Sequence, residues 1–458
     1  MATFEDLTAE LVDLVVSHLN EAGLCAFRLA SRESYERSYR EFTNRVLGLR
    51  WMIAPHSLSA LQSISKDRRL GPKLKTLRIG THYFQNDGPS DQLANDLANA
   101  ETDDERLAVT KRISRFQEYY DAQDRFRHGD NMATLAMILA NLPALDIIEI
   151  GERYEGAGDD FTPCYGMTTF YAETGTNYSA YCHPDPLDGG DHGLTHNFKL
   201  VLRALSLVRS EITTLSASQY HPDPDHGEPW GVDVNAMPPV ATYYAQGLKT
   251  AFANLRTLNL FLEYRQLNFG EEPAGWRQWL PDFVLLAPHL QNLNLAMEGW
   301  SYGDYPPPIP FTLLAFETFA NTVHLPNLTT VELSNMAVQP LDLLVFWEKH
   351  ARTLSNITLR RLLLTLDTWL NTLRSINSKF GACWTAKLAW LMEGSDHTSD
   401  ESNVLLFSCK GFGDCKQCIN NVGGYNMNEC EHICKTIGFD EVGILCNVEK
   451  VPMESFCT

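Results

Sequence analysis

The residues with the clearest chemical potential are cysteines, which crowd the last part of the chain. Most of the eleven cysteines follow residue 382. Cys415 and Cys418 form a C-x-x-C pair, and Cys430 and Cys434 form a C-x-x-x-C pair shortly afterwards. Two pairs of thiolates separated by about a dozen residues can complete a tetrahedral Zn²⁺ site. One alternative is that these cysteines are free or buried thiols, because cysteine is also a common small buried residue. The other alternative is that they form disulfides.

Histidine and aspartate recur in a second pattern, because residues 183–186 and 221–224 both read H-P-D-P. Histidine and carboxylate side chains together can bind Zn²⁺ or a non-haem metal. Their spacing matches no helix-borne ligand motif such as H-E-x-x-H, and proline and aspartate are ordinary turn residues. We therefore interpret both segments as turns.

The sequence carries no recognisable catalytic motif. It contains no glycine-rich phosphate loop, no nucleophile elbow and no kinase-like set of residues. We therefore expect a non-catalytic protein without a cofactor, apart from a structural Zn²⁺ if the four cysteines bind one.

The elements that position these residues follow from a repeated L-x-x-L-x-L pattern, in which leucine, isoleucine or valine occupies the apolar positions. The last two positions alternate as in a strand and so point to one face. Helical apolar spacing precedes most copies, so the repeated unit is helix, short turn and strand. Stacked units bury a continuous core that one unit cannot bury alone. The copies are Leu74-Leu77-Ile79, Leu145-Ile148-Ile150, Leu255-Leu258-Leu260, Leu290-Leu293-Leu295, Leu328-Val331-Leu333 and Leu354-Ile357-Leu359, with Ile212-Leu215-Ala217 the weakest.

This order predicts an α/β leucine-rich-repeat solenoid with parallel strands and outer helices. The copies are irregularly spaced, roughly 26 to 43 residues apart late in the chain and roughly 70 apart early, against about 20–29 in a regular repeat. A different α/β sheet fold would also alternate helices and strands, but it would not need the same leading leucine each time. We place the inserted sequence at residues 81–130, 151–195, 218–240, 262–275 and 297–312.

Three short helical patterns precede the repeats, within residues 4–47. A unit of this size has a thin core and usually needs a partner or a neighbouring domain. We expect Ser31 to cap a longer third helix, with Tyr35, Tyr39, Phe42 and Val46 inward. The apolar residues of the first two patterns are Leu7, Leu11, Leu14, Val15, Leu19, Leu24, Phe27 and Leu29.

The order of residues in this N-terminal region is similar to that of a known family. Residues 7–19, LTAELVDLVVSHL, resemble the opening of an F-box, L-P-x-E-[LI]-[LV]-x-x-I-x-x-x-L. Residues 24–32, LCAFRLASR, resemble its second half, D-L-x-x-L-R-L-V-[SC]-[KR]. The main departure is Thr8, where the family usually has proline, although a threonine N-cap starts a helix equally well. The chain therefore resembles F-box proteins with degenerate leucine-rich repeats of the fungal type.

The resemblance implies a function without catalytic residues. In that family the F-box docks on a Skp-type adaptor, which joins it to a cullin–RING ubiquitin ligase, and the repeats hold a protein substrate. A repeat scaffold that binds a protein without any ligase is the alternative, and an enzyme built on the insertions is a third class. For the leucines of this region, the alternative is that they pack only against the chain's own repeats. The implied adaptor-binding residues are Leu7, Leu11, Leu14, Val15, Leu19, Leu24 and Leu29.

Aromatic residues concentrate in two of the insertions, which we expect to emerge from one rim of the solenoid and to form a binding face. Aromatic side chains dominate interface hot spots, but they can also fold back as loop cores. Trp300, Tyr302 and Tyr305 precede three prolines in the last insertion, and we predict that they bind the substrate. The second insertion carries Tyr154, Phe161, Tyr165, Phe170, Tyr171, Tyr178 and Tyr181.

Charge and composition bound the remaining possibilities. A formal net charge of −20 argues against a general nucleic-acid or anionic-membrane binder. No apolar run approaches the roughly 18–20 residues that span a bilayer, and the acidic start at Glu5 and Asp6 argues against a secretory signal. We expect a cytoplasmic or nuclear protein with mostly reduced cysteines. Its predicted parts are a helical module at 1–50, the repeats at 51–382 and a cysteine-rich cap at 383–458.

Overall fold

The computed structural model describes residues 7–81, 89–126, 131–151, 164–176, 193–218, 231–240, 245–265, 275–300, 309–365, 369–380, 385–389, 391–394, 403–407, 436–438 and 448–452. The helices are α1 Ala9–Ser17, α2 Glu21–Ala30, α3 Arg32–Arg37, α4 Tyr39–Gly48, α5 Pro55–Lys66, α6 Pro89–Ala98, α7 Asp103–Arg125, α8 Asn131–Ala140, α9 Met167–Thr174, α10 Gly193–Leu207, α11 Ala245–Ala251, α12 Trp276–Val284, α13 Ile309–Thr322, α14 Pro340–His350 and α15 Trp369–Phe380. The strands are β1 Arg50–Trp51, β2 Thr76–Ile79, β3 Ile147–Ile150, β4 Cys164–Tyr165, β5 Thr214–Ala217, β6 Val232–Asp233, β7 Thr257–Arg265, β8 Asn292–Trp300, β9 Thr330–Val338, β10 Asn356–Thr365, β11 Thr385–Ala389, β12 Leu391–Gly394, β13 Asn403–Phe407, β14 Thr436–Gly438 and β15 Val448–Pro452.

The described strands form one sheet. Its main path runs β15-β13-β12-β10-β9-β8-β7-β5-β3-β2-β1-β4, with β6 beside β7 and β11 beside β10 and β14. Every pair from β4 to β12 is parallel, so the chain must cross over between strands, and helices supply most of the crossovers. The predicted α/β architecture, with a parallel sheet and outer helices, is confirmed.

The repeated leucines form a ladder through this sheet. Leu77, Ile148, Leu215, Leu258, Leu293, Val331 and Ile357 are direct partners from strand to strand. Every apolar position of all seven copies is buried, including the weakest copy at Ile212, Leu215 and Ala217. Because these residues and the inner faces of the helices belong to one core cluster, each repeat completes the core of the next.

Strands β7, β8, β9 and β10 have 9 or 10 residues, and in β9 the apolar pattern continues past a local irregularity. In β9, Val331 and Leu333 are followed by Met336 and Val338, so the buried positions change phase between Leu333 and Met336. Asn335 stands at that change with a φ of 54°, a left-handed conformation that asparagine tolerates better than most residues. The irregularity keeps the apolar side chains of both halves of the strand on the core side.

Buried polar side chains tie neighbouring repeats together near the end of α14. His350 donates from Nδ1 to the Phe346 carbonyl (2.7 Å) and accepts at Nε2 from the Leu325 N–H (3.0 Å). Burial lowers the pKa of His350 to about 4, so the ring is neutral at pH 7. Lys349 donates to the carbonyl of Ala320 (2.8 Å) and to that of Asn321, which satisfies free carbonyls at the end of α13.

The first two insertions pack together as a small satellite of the solenoid. Helix α7 begins with a capping box between Thr102 and Glu105, and its Phe116 lies in a second core with Met167 and Phe170 of α9. The ring centroids of Phe116 and Phe170 are 6.1 Å apart. Helix α7 therefore lies within the first insertion, and one of its faces is covered by the second insertion.

At the end of the sheet formed by the last described strands, the pairing changes from parallel to antiparallel. Strand β12 pairs antiparallel with β13, which pairs antiparallel with β15. Within the described part of the chain, no helix combines the length and the apolar character needed to cross a membrane.

Candidate protein-interaction surfaces

The N-terminal module contains four helices rather than the three predicted. The expected long third helix is divided into α3 and α4 at Ser38, whose hydroxyl donates to the Ser34 carbonyl (2.6 Å). Ser38 is fully buried and also accepts from Arg28 (3.4 Å), so the bend packs against α2. Ser31 caps α3 as predicted, accepting from the Ser34 N–H at 3.0 Å.

Arginine side chains compensate for the module's small apolar core of Val12, Val16 and Leu24. Arg45 of α4 donates to the carbonyls of Val16 (3.1 Å), Ser17 (3.0 Å) and Leu19 (2.5 Å), at and just beyond the C-terminal end of α1.

Arg28 stabilises the module from its other side. Its guanidinium lies 3.8 Å from the Phe42 ring centroid and 4.1 Å from that of Tyr35, and it donates to the Tyr35 carbonyl (3.2 Å). A cation held over two aromatic rings fixes α2 against α3 and α4. The module therefore has a defined shape despite its thin apolar core.

Large apolar side chains remain uncovered on α1 and α2 of this module. Leu11 and Leu14 of α1 are 48% and 56% exposed, Val15 is 45% exposed, and Leu29 of α2 is 87% exposed. We call Leu11, Leu14, Val15 and Leu29 the leucine surface. Exposed single leucines are common on proteins, but four large apolar residues on two short helices favour a docking role.

Three of the predicted adaptor-binding residues are covered within the module itself. Leu24 is buried in the module's own core, and Leu7 and Leu19 are half-buried against it. Leu24 and Leu29 are five residues apart on α2, which turns them about 140° from each other around the helix. One points into the module and the other into solvent.

The module is attached to the solenoid by charged and aromatic contacts. Arg69, in the turn after α5, donates to both carboxylate oxygens of Glu36 (3.3 and 3.2 Å) and lies 3.7 Å from the centroid of the Tyr39 ring. Lys73 lies 4.8 Å from the same centroid. These contacts orient the module on the first repeat.

The sheet face opposite the helices, which we call the open face, is mostly polar, although Ile147 of β3 also lies on it. Thr214 and Ser216 of β5, Thr257 and Asn259 of β7, and Asn292 and Asn294 of β8 are half-buried and uncharged. Charged pairs flank this central strip. Arg78 Nε lies 2.9 Å from Glu149 Oε2 near the first repeats, and Arg360 Nη1 lies 3.9 Å from Glu332 Oε1 near the last. Such a face suits hydrogen bonding to an extended polar partner.

Acidic residues occupy paired positions at the carboxyl edge of the same sheet. Asp233 of β6 is in register with Glu263 of β7, which is in register with Glu298 of β8. Burial and, secondarily, the Asp233 charge raise the pKa of Glu263 to about 8. Among the described residues, no group of three histidine, cysteine or carboxylate side chains is arranged to hold a metal ion.

The structure changes the bounds of the insertions that carry the predicted substrate residues. Met297 is buried in the core and Trp300 ends β8, so the last insertion is shortened to residues 301–308. The side chain of Trp300, together with Tyr302 and Tyr305, lies outside the described residues. Cys415, Cys418, Cys430 and Cys434 and both H-P-D-P segments also lie outside them, so the predicted Zn²⁺ site stays a prediction.

The aromatic residues of the second insertion differ in burial, so some fit a loop core and others fit an exposed binding face. Phe170 is fully buried, as the loop-core alternative expects. Tyr171 is exposed, and Tyr165 is exposed while its ring centroid lies 5.0 Å from that of Trp51. Tyr154, Phe161, Tyr178 and Tyr181 lie outside the described residues.

Comparison with known proteins gives little further information. No family model matches the sequence, and no curated protein matches it. Among solved structures, the leucine-rich repeat-containing protein LegL7 from Legionella pneumophila is similar over 75% of this chain and 91% of its own, with 10% identity and a TM-score of 0.25. Because that similarity is too low to support an argument, the description of the fold rests on the ladder of buried leucines in this chain.

Proposed function

We propose that this chain is the substrate-recognition subunit of a Skp–cullin–F-box type ubiquitin ligase. The leucine surface on α1 and α2 is the observation that carries the proposal. It coincides with the two sequence segments that resemble an F-box, and it leaves large apolar side chains in solvent. In this proposal the chain has no catalytic residues, and the chemistry of ubiquitin transfer belongs to its partners.

The leucine surface has the properties of a helical docking element. Amphipathic helices commonly bind by placing apolar side chains into a groove of the partner. Transfer of four such side chains from water into a groove is favourable by about 1.5–3 kcal/mol for each one fully buried, before the costs of association. The arginine contacts inside the module hold its helices in place, so little ordering is required on binding.

The repeats supply the second half of the proposed function. The open face is a mostly polar surface on rigid strands, and the insertions with aromatic residues follow the carboxyl ends of strands. We assign a protein substrate to this face and edge, with Trp300, Tyr302 and Tyr305 as contributors.

Co-expression with a Skp-type adaptor and a cullin tests this function. We expect the full chain to co-purify with both, and a variant lacking residues 301–308 to retain both while losing the substrate. Purification of the chain without the adaptor, at stoichiometric expression, would contradict the ligase role.

A repeat scaffold without a ligase is the second candidate. The observation that favours it is the open face itself, which is complete without the module. If the adaptor does not bind but proteins captured by the open face are lost on substitution of Asn259 and Asn294, this candidate replaces the first.

A further inference from the structure

An arginine lies almost entirely buried at the start of the open face. Arg50 is the first residue of β1 and is in register with Arg78 of β2. Only 8% of its surface is exposed. Its guanidinium reaches across β2 and donates to the carbonyl of Gly151, the residue that follows β3.

The local sequence makes room for this side chain. Gly80, which follows β2, lies beneath the arginine, and a Cβ atom there would stand 3.2 Å from Arg50 Cδ and 2.2 Å from Cys164 Sγ. The Gly80 carbonyl is in turn held by Asn197 Nδ2 of α10 at 2.9 Å. Any larger residue at position 80 would displace the arginine or Cys164, so the glycine is required by the arrangement.

The charge of Arg50 lacks an anion within the described part of the chain. Its Nε is buried without a hydrogen-bond acceptor. The one acceptor among the described residues that its guanidinium reaches is the uncharged backbone carbonyl of Gly151. Arg78, in contrast, donates from Nε to Glu149 at 2.9 Å. A buried cation without a counter-charge costs several kcal/mol, so Arg50 creates a strong local preference for an anion.

We propose that Arg50 and Arg78 form a binding site for an anionic oxygen group of a protein partner, either a phosphoryl group or a carboxylate. Neighbouring strands are about 4.8 Å apart, so the two residues start from adjacent positions on the same face. Guanidinium groups bind both kinds of oxyanion through paired N–H donors. The Arg78–Glu149 pair is partly exposed and therefore weak, and Arg78 can exchange Glu149 for the incoming anion.

The site deepens the proposed function, because it names the chemistry of the partner that the open face would hold. It rests on that function only in assigning the anion to a protein. Small anions test the site in the absence of any adaptor, so failure of the ligase role and failure of this site are distinguishable.

Thermal unfolding of the full chain with inorganic phosphate or with acetate tests the site. Sodium chloride of equal ionic strength controls for screening. We expect a saturable rise in Tm with at least one of the two anions, since a ligand that binds only the folded state stabilises it. A rise with phosphate and not acetate identifies the phosphoryl group, and the reverse identifies the carboxylate. No rise beyond that in chloride with either anion would overturn the proposal and leave Arg50 as a structural tie to Gly151.

Variants locate the binding. Arg50→Gln should raise the apparent dissociation constant of the anion at least tenfold, and Arg78→Gln should raise it several-fold. Arg360→Gln is the matched control, because Arg360 is an exposed, carboxylate-paired arginine at the other end of the open face. If Arg50→Gln does not fold, Arg78→Gln carries the comparison. Equal anion affinity in Arg78→Gln and Arg360→Gln would place the anion elsewhere and overturn the assignment.

Discussion

The N-terminal module and the repeats use the same residue type in opposite ways. In the repeats, the apolar positions of all seven copies are buried, whereas Leu11, Leu14 and Leu29 of the module stand largely in solvent. The repeats gain stability from a continuous apolar core, while the module is held by arginine contacts to carbonyl groups and aromatic rings. Leucine therefore builds the core in one region and remains exposed in the other.

The difference follows from the size of the two regions. Stacked repeats bury both ends of every inner unit, so each added leucine finds a neighbour. A unit of four short helices cannot enclose all its apolar side chains, and some of them stay exposed.

Truncation of one leucine in each region should give the largest contrast. Leu258→Ala, in the centre of the ladder, should lower the free energy of unfolding by about 2–5 kcal/mol through lost burial and the cavity left behind. Leu29→Ala should change it by less than about 0.5 kcal/mol, because Leu29 is exposed. Denaturant unfolding of both variants measures the two values. Equal losses would show that Leu29 is part of the core.

His350, which lies in the repeats, should make the free energy of unfolding depend on pH. The pKa of His350 is about 4 in the folded chain and about 6.5 when unfolded, so the unfolded state binds more protons between these values. Its contribution is therefore complete above pH 6.5 and is lost as the pH falls toward 4, by at most about 3.4 kcal/mol at about 1.36 kcal/mol per pKa unit.

Comparison with His350→Gln isolates this contribution. Asp342 of the same helix has a pKa raised to about 6 by burial, so its own contribution changes in the opposite direction over the same pH range. The difference in unfolding free energy between wild type and variant should grow from pH 4 to pH 6.5. A constant difference would contradict a neutral, buried His350.

Loss of an arginine should affect the module more locally. Arg45→Ala removes three charge-assisted hydrogen bonds to the end of α1 and should destabilise the module by about 1.5–3 kcal/mol. Hydrogen exchange should increase in α1 and α2 and remain unchanged in the strands of the ladder. Uniform loss of protection across both regions would show that they unfold as one unit.

The ladder could be predicted from sequence because its signal is local and repeated. The L-x-x-L-x-L pattern locates strands β2, β3, β5, β7, β8, β9 and β10, and even its weakest copy is buried. The extension of β9 and β10 beyond the repeated pattern was not predicted, and the left-handed Asn335 in β9 has no comparable signal in the sequence.

The parts that could not be predicted depend on contacts between distant residues. Strand β4 pairs with β1 across more than a hundred residues, and each strand has only two residues, too few for a periodic pattern. The burial of Arg50 depends on Gly80 and Gly151, which approach it only in the folded sheet. Helical spacing grouped Leu24 with Leu29, because the sequence does not show which face of a short helix the neighbouring helices cover.

Direct titration of a purified Skp-type adaptor into the purified chain tests the central claim, that the leucine surface docks a partner. Leu11→Asp combined with Leu14→Asp places carboxylates in the apolar contact and should weaken binding at least about 100-fold, with the fold retained by circular dichroism. Leu207→Asp combined with Leu341→Asp changes two leucines of similar exposure on α10 and α14 and should leave the affinity unchanged. Calorimetry should show one-to-one binding to the wild type and to this control. Equal affinity for the wild type and the Leu11→Asp, Leu14→Asp variant would contradict the account.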